Sequence, residues 1–550
     1  MATTRIVLGE WLPDQPSVIE SLQDATNVVP AAVGYIPFST PVAYSDAASE
    51  DLLNIFAGKF NTITQLFAGS SSKLYLFDGS DLSLDDVSKS KARTITNVAL
   101  TSNVATITTQ APHGYSVGDN VTVDASNNTF DGTYAITTTP TLTTFTYAKT
   151  NTDIPSAVAT GTVTNTGYGG ASTWNFAQFG NSVLATNNVN KIQKWTIGSS
   201  GYFGDSGQYA PVAKYITVVR DFVVAANLDG GSNSNKVQWS DINDESDWLS
   251  GATSQSDFQI IADGGNITGL TGGEFGLVFL ERAIVRMSYI GSPFFFQFDT
   301  ISRNLGCMTG GSVAQYGNMS FFLSDNGFYS CDGQTITPIG ANKVDRYFFD
   351  NADINKIDLI SAAIDPERKI VVWNFYNDNN SKSLLIYNWQ VQKWTICETS
   401  TNAVASIATS GITLEGLDAF GTVDSITTSF DSRIWAGGKF LFAGINGAKI
   451  FTFSGQNATP SLITYDVEQG YNSVVTLARP QIDNGSCLVA VASRKELDDT
   501  ITFSTPVAMS SEGRVSLRSY GRYHRFKLIP TGLWTTAIGT DVDVSQQGNR

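Results

Sequence analysis

Short apolar segments alternate with polar turns along most of this chain, and no long helical period interrupts them. The segments come in pairs: residues 183–186 are followed by residues 192–195, and residues 222–225 by residues 237–239. Seven such copies recur, beginning near residues 73, 183, 222, 277, 320, 370 and 433. A strand unit repeated at intervals of roughly 40–50 residues is typical of a β-propeller. The pattern therefore predicts an all-β fold built on a propeller of six or seven blades.

Residues 91–166 carry a different pattern, in which threonine and apolar side chains alternate at period two. The alternation is clearest in residues 104–108, 120–123 and 133–136. We predict that these residues form a small Thr-rich β-barrel or sandwich inserted into the first repeat. The insertion then divides the propeller into residues 49–90 and residues 167–455.

Both ends of the chain depart from the repeats. Residues 1–48 contain five prolines, which break helices and strand ladders, so we predict an extended N-terminal arm laid over another surface. Residues 456–550 are expected to form a C-terminal β-domain, or platform, completed by strands from that arm. Two helical departures are also predicted: a short helix with Ser49 as its N-cap, and a helical excursion over residues 344–357.

Composition narrows the classes of function. The 550 residues include 34 basic and 50 acidic side chains, a net charge of −16, which argues against a groove that grips nucleic acid. An acidic wall is nevertheless compatible with a channel through which DNA slides. The four cysteines are widely separated, which favours free thiols over disulfides or a zinc site. We expect neither a secretory signal in residues 1–14 nor a membrane span, because the apolar run at residues 294–296 is too short.

The residues that could support catalysis are few. The chain has two histidines: His113 is predicted to lie in a turn of the inserted module, and His524 on a surface strand. An acidic loop contains Asp241, Asp244, Glu245 and Asp247, and a paired-carboxylate glycosidase is the reaction class it would suit. No nucleophile–histidine–acid set, phosphate loop or calcium loop accompanies these residues. We therefore predict a protein that is not an enzyme, without a catalytic site, a cofactor or a metal.

One basic cluster stands out near the C-terminal end. It has two interpretations, pairing with acids of a neighbouring strand face or docking onto an acidic partner subunit, and the sequence leaves both open. The cluster consists of Arg514, Arg518, Arg522, Arg525 and Lys527.

Three stretches of the chain resemble tail proteins of short-tailed (podovirus-type) bacteriophages. They are residues 8–14 (LGEWLPD), residues 174–187 (WNFAQFGNSVLATN) and residues 521–526 (GRYHRF). The inserted module, with APHGYSVGD at residues 111–119, is similar to a module scattered through phage structural proteins. The combination resembles the tail hub or nozzle (tail tubular) proteins, which carry a β-propeller and a platform built from terminal segments.

The resemblance implies a structural virion protein, made in the host cytoplasm and incorporated in the phage tail. It implies a homo-oligomeric ring, commonly hexameric, that docks portal or adaptor proteins and tail fibres or spikes. Phage DNA would pass through the ring during ejection without sequence-specific binding. The N-terminal arm would then strap neighbouring subunits together, so that its deletion would leave a folded propeller that no longer assembles.

The alternative is a carbohydrate-binding or glycan-cleaving propeller used in host attachment. Its site would be the acidic loop at residues 241–247 or the faces of Trp239 and Trp248.

Overall fold

A computed structural model describes residues 2–89, 92–165, 168–409, 412 and 440–546 of the chain. Almost all regular structure in these residues is β-strand, so the predicted all-β class is confirmed. The described residues contain one α-helix, α1 (Asp345–Asn351), followed by a 3-10 turn at Ile354–Leu359. Both lie in the region where a helical excursion is predicted. Further 3-10 turns occur at Asn128–Phe130, Asp229–Gly231 and Gly310–Ser312.

The N-terminal arm contributes five short strands. They are β1 (Ala2–Val7), β2 (Asp24–Thr26), β3 (Val28–Pro30), β4 (Tyr35–Pro37) and β5 (Val42–Ala43). Strands β3 and β4 pair with each other, but no arm strand belongs to a separate hairpin sheet. All five are part of sheets that distant parts of the chain complete.

The first blade is a four-stranded antiparallel sheet that follows the arm directly. Its strands are β6 (Leu52–Phe60), β7 (Ile63–Ser70), β8 (Leu74–Phe77) and β9 (Leu84–Asp86). The prediction of a helix capped by Ser49 is therefore wrong. Instead, the Glu50 carboxylate accepts hydrogen bonds from the hydroxyls of Ser70 (2.7 Å) and Ser72 (2.6 Å), which places it across the β7–β8 turn.

The inserted module has seven strands, and six of them form a closed barrel. Its strands are β10 (Arg93–Thr101), β11 (Val104–Thr109), β12 (Asn120–Ala125), β13 (Gly132–Thr141), β14 (Thr144–Ala148), β15 (Ile154–Val158) and β16 (Gly161–Asn165). The sheet closes because one edge of β10 pairs with β11 and the other edge pairs with β15 and β16, which follow one another along it. The apolar side chains of the period-two pattern fill its own core, among them Ile95, Ile107, Val121 and Phe145.

Four further blades follow the barrel in chain order, each a separate four-stranded sheet. The second blade consists of β17 (Asn175–Phe179), β18 (Ser182–Thr186), β19 (Gln193–Thr196) and β20 (Gly204–Asp205), and the third of β21 (Ala213–Val219), β22 (Phe222–Leu228), β23 (Asn233–Trp239) and β24 (Asp257–Ile260). The fourth blade consists of β25 (Ile267–Thr271), β26 (Gly276–Leu280), β27 (Ile284–Gly291) and β28 (Phe295–Ser302). The fifth consists of β29 (Ala314–Tyr316), β30 (Met319–Ser324), β31 (Gly327–Cys331) and β32 (Ile336–Pro338). Every residue of β18, β22 and β26 is buried. Blades pack on both faces, which explains the continuous apolar runs in the sequence.

Two last units complete the ring. One comprises β33 (Ser361–Asp365), β34 (Ile370–Tyr376), β35 (Lys382–Asn388) and β36 (Lys393–Thr399); the other comprises β37 (Ala403–Ala408), β38 (Phe440–Asn446), β39 (Lys449–Thr452) and the arm strand β5. Strand β37 contacts both β33 and β6, and β6 contacts β17, so the blades form a closed circle. The prediction of six or seven blades is confirmed: six are separate sheets, and β33–β36 is a seventh unit of the same form. The predicted strand near residue 433 lies outside the described residues.

The unit β33–β36 does not end at its outer strand. Strand β36 pairs in parallel with β2 of the arm, β2 pairs with β40 (Ser461–Ile463), and the sheet continues into the C-terminal region. The remaining strands are β41 (Val467–Asp483), β42 (Ser486–Arg494), β43 (Val507–Ala508), β44 (Val515–Thr531) and β45 (Thr536–Gln546). Because β1 pairs with β45 and β4 also reaches it, one 14-stranded sheet unites both ends of the chain with a blade.

The arm is embedded in its own chain. Trp11 and Tyr35 are almost fully buried in the core shared by the platform and the blades. The Asp14 carboxylate accepts the backbone N–H groups of Arg346 (3.0 Å) and Tyr347 (2.8 Å), which caps the first turn of α1. The expectation of an arm laid over another surface is met within the chain, and these residues are not free to strap a neighbouring subunit.

Candidate functional site

The basic cluster is divided by the fold. Arg514, Arg518 and Arg522 are exposed on the platform, whereas Arg525 is buried. Arg522 and Arg525 are three residues apart on β44, and side chains alternate between faces along a strand, so the two point to opposite faces. Lys527, two residues beyond Arg525, is partly buried on the same face. Only the three exposed arginines therefore present charge to a partner; we call them the arginine row.

Arg525 pairs inside the protein. Its guanidinium donates to both oxygens of Asp466 at 3.2 and 2.6 Å, and Arg494 donates to the same carboxylate. The Asp466 side chain is 1% exposed, and those of the two arginines are 9–10% exposed. Burial alone would raise the pKa of Asp466, but the hydrogen bonds from Arg525 and Ser17 and the two positive charges hold it below its usual range. For Arg525, the interpretation as an internal ion pair applies.

The prediction that His524 lies on a surface strand is wrong, because its side chain is buried. Its side chain lies between two serine hydroxyls, with Ser473 Oγ 2.7 Å from Nε2 and Ser493 Oγ 2.7 Å from Nδ1. Burial lowers the pKa of His524 to about 4, so the imidazole is neutral at neutral pH. The prediction failed because strand alternation identifies two faces but does not say that both are covered.

The neutral state of His524 gives the protein a pH-dependent stability. An unfolded chain takes up a proton at the ordinary histidine pKa of about 6.5, whereas the folded chain takes it up near 4, so stability is complete above pH 6.5 and falls as the pH drops between these values. We expect a loss of about 2 kcal/mol by pH 5. Urea unfolding at pH 7 and pH 5 measures it; equal losses in the wild type and in His524→Asn would contradict this origin.

The other histidine has a similar structural role. The backbone N–H of Tyr115 donates to His113 Nδ1 at 3.0 Å, and His113 Nε2 lies 3.2 Å from the carbonyl oxygen of Thr141. Burial lowers the pKa of His113, which favours the neutral ring that these bonds require. The predicted turn position is correct, and the ring holds that turn against the β13–β14 hairpin.

The acidic loop after β23 is engaged in its own folding. Asp244 Oδ1 accepts the N–H and hydroxyl of Ser246, and these bonds lower the pKa of Asp244. Asp241 Oδ1 accepts the N–H groups of Ile242 and Gln255, and Asp247 Oδ1 accepts that of Leu249. A glycosidase acid needs a raised pKa, so Asp244 is poorly suited to that chemistry. Trp239 and Trp248 are buried and offer no free face for a sugar.

No sequence pattern indicates the site where the barrel meets the propeller. Lys89, which is buried, precedes the barrel and lies between two carboxylates. Its ammonium nitrogen is 2.8 Å from Asp119 of the barrel and 2.7 Å from Asp205 of the second blade. Gln193 donates to Asp205 at 2.7 Å, and Asn165 donates to Asp119 at 3.2 Å. This ion bridge fixes the barrel to the blade through groups that would be costly to leave unpaired.

A second contact holds the barrel from the other side. Tyr202, in the loop between β19 and β20, packs over Gly114 of the barrel, where an added Cβ would overlap the tyrosine ring. The guanidinium of Arg93 lies 5.8 Å from the centre of the same ring and donates to the carbonyl oxygens of Ser88 and Pro112. With two contacts of this kind, the barrel is held in one orientation.

Replacement of Lys89 by methionine tests the ion bridge. The change leaves the half-buried carboxylates of Asp119 and Asp205 without their cation, and we expect a loss of about 3 kcal/mol in unfolding free energy. Limited proteolysis should then cut the barrel connections near residue 90 faster than in the wild type. Lys73→Met is the control, since Lys73 makes a longer and more exposed pair with Asp86 (3.8 Å). Equal stability and cleavage in K89M and wild type would contradict the bridge.

Across the described ranges, no three His, Cys, Asp or Glu side chains come together as a metal site would require. The same part of the chain contains no helix with the length and apolar character needed to cross a bilayer. The four cysteines are buried and unpaired, as predicted.

Comparison with known proteins identifies no family. No protein-family model and no curated protein matches the chain. Among solved structures, the WD40 domain of Toxoplasma gondii coronin has a TM-score of 0.33 at 6% identity, covering 76% of this chain and 87% of that one. The computationally designed protein Ika8 has a TM-score of 0.31 at 10% identity, covering 75% and 99%. The endosialidase of phage phi92 has a TM-score of 0.23 at 12% identity, covering 58% and 63%. At these TM-scores the likenesses carry no argument about function.

Proposed function

We propose that this chain is a non-enzymatic structural subunit of a short-tailed phage tail, forming the hub or nozzle ring. In this role it extends the channel for DNA ejection, contacts portal or adaptor proteins on one side, and docks fibres or spikes on the other. The subunit is incorporated in the virion after synthesis in the host cytoplasm.

The observation that carries the proposal is the 14-stranded sheet. Strands from the N-terminal arm and from residues 461–546 form one layer with the blade β33–β36. The sequence resemblance implies a propeller joined to a platform of terminal segments, and this sheet is an arrangement of that kind. A propeller and platform that share one sheet form a stiff block, and heterologous contacts between identical stiff blocks give rings where the rotation between neighbours closes.

The arginine row offers one contact for such a ring. The chain has a net charge of −16, so three exposed arginines on the platform have acidic surface available on any neighbouring copy. The row is partly self-paired: Arg522 contacts Glu468, and Arg514 lies 3.3 Å from Glu512. Both pairs are exposed, so they exchange readily for intersubunit pairs.

The mass and shape of the purified protein test the proposal. We expect rings, commonly of six copies, in electron microscopy and mass photometry, and labelling of tails when virions are probed with an antibody against the chain. A protein that is monomeric at all accessible concentrations and absent from virions would overturn it.

Charge reversal tests the arginine row separately. R514E/R518E/R522E is expected to shift the ring towards monomers and to remove the salt dependence of assembly. The reason is that exposed charges attract subunits to one another, and salt screens this attraction. K59E/R282E/R303E carries the same charge change on exposed residues of the blades and should assemble as the wild type does. If both variants assemble equally well, the row is not part of the interface.

A further inference from the structure

A cleft of about 620 Å³ lies between the barrel and the second blade. Its volume falls within the range of small-molecule sites, and such sites are common where two folded units meet. The ion bridge and the Tyr202 contact hold both walls in place, so the cleft exists before any ligand arrives. Asp205 lines it from the ion bridge, and Tyr202 lines it from the second contact.

Both walls present hydrogen-bonding groups that the protein does not use. On the barrel wall, Thr94 and Gln110 are exposed, and their side chains have no protein partner among the described residues. On the blade wall, the hydroxyls of Thr196 and Ser199 are likewise unpartnered within the described part of the chain. Hydroxyls and amides both donate and accept, so the cleft offers both kinds of bond to a polar ligand.

Apolar surface lies beside these groups. Pro112 and Leu142 belong to the barrel wall, and the Leu142 side chain is 70% exposed although it sits at the rim of a cleft. With the ring of Tyr202, they give flat apolar patches next to polar groups. A sugar ring has this double character, since its C–H face packs on apolar or aromatic surface while its hydroxyls form hydrogen bonds.

The charges of the cleft argue against a phosphorylated or acidic ligand. Lys194 is already paired with Glu245 at 2.6 Å, and the carboxylates of Asp86 and Asp205 line the same space. Arg93 also lines the cleft, but its guanidinium is buried and donates to the carbonyl oxygens of Ser88 and Pro112, so an anion would meet these carboxylates with both cations of the lining already engaged. Neutral hydroxyls, in contrast, can donate to carboxylate oxygens in strong charge-assisted bonds.

We propose that the cleft between barrel and blade is a binding site for a short neutral oligosaccharide. The rigid attachment of the barrel then has a use, because a preformed two-walled site binds with less loss of conformational entropy than one assembled on binding. This inference does not depend on the ring: a monomeric chain carries the same cleft.

Binding by the purified full-length chain tests the inference. The probe is an array of neutral bacterial-type oligosaccharides that contain glucose, galactose, mannose and rhamnose, followed by calorimetry on the strongest ligand. Thr94→Trp and, from the opposite wall, Ser199→Trp place a bulky ring in the cleft at exposed positions. We expect the wild type to bind and both variants to bind at least tenfold more weakly.

Ala135→Trp is the matched control, because Ala135 is an exposed strand residue of the barrel that does not line the cleft. It should bind as the wild type does. If no oligosaccharide binds, or if binding survives in T94W and S199W, the inference is wrong. Two variants on separate walls keep the test decisive should one of them fold poorly, and circular dichroism of each establishes its folding.

Discussion

Deletion of residues 2–41 is expected to prevent the chain from folding, rather than to yield a folded propeller that fails to assemble. The arm supplies Ile6, Leu8, Trp11, Leu22 and Tyr35 to the main core, each at most 2% exposed. At about 1.5–3 kcal/mol for each buried side chain, these residues contribute on the order of 10 kcal/mol. That is as large as the whole stability of a typical domain. We expect insoluble protein, or a soluble species without a cooperative unfolding transition.

The barrel provides the control for this deletion. Strands β10 and β16 are neighbours, with Arg93 opposite Val163 and Thr94 opposite Thr162, so a short Gly-Ser linker can replace residues 93–164. The barrel has its own core, and its removal should leave a propeller and platform that unfold cooperatively. A cooperative transition of the arm-deleted chain at the wild-type midpoint would show that the arm is dispensable for folding.

Replacement of Asp466 by alanine is expected to lower the free energy of unfolding strongly. It leaves Arg494 and Arg525 buried, close together and without a counterion. Breaking a buried pair by removing one partner costs about 3–5 kcal/mol, and here one carboxylate serves two cations. Guanidinium unfolding should show a lower midpoint with an unchanged slope.

Two further variants separate the lost counterion from general damage. Glu468→Ala removes an acid two residues away whose pair with Arg522 is exposed, and should cost less than about 1 kcal/mol. D466A/R494M/R525M removes the stranded charges as well, and should recover much of the stability lost by D466A alone. If D466A and E468A lower the free energy of unfolding by the same amount, burial of the cluster does not contribute to stability.

The propeller was predictable from the sequence because its cause is local. Blades bury both faces of strands such as β22 and β26, so each leaves a continuous apolar run, and the runs recur at a nearly constant interval. The barrel was predictable for the opposite reason, since its strands are covered on one face and alternate at period two. The prediction of a helix capped by Ser49 was wrong because the strand pairing of β6 with β7 overrides a local sequence that satisfies the rules for a helix start at residues 49–53.

The rest depends on partners that are remote along the chain. Thr4 pairs with Val542 and Thr26 pairs with Ile396. The local pattern around one residue of such a pair does not predict which residue is its partner. The same holds for Asp466 with Arg525 and for Lys89 with Asp205. A cluster of arginines on one strand reads as one patch in the sequence, but whether a face is covered depends on what packs against it.

Strand β5 also sets the order in which the molecule can be completed. Val42–Ala43 form the outer strand of the blade whose inner strand is Ala403–Ala408. At synthesis rates of roughly 5–20 residues per second, Val42–Ala43 leave the ribosome on the order of twenty seconds or more before that blade exists. During this time the blades of the first half can form, while the arm keeps its apolar side chains in water. The nascent chain is therefore most exposed to aggregation and proteolysis at its first forty residues, until the last hundred have been made.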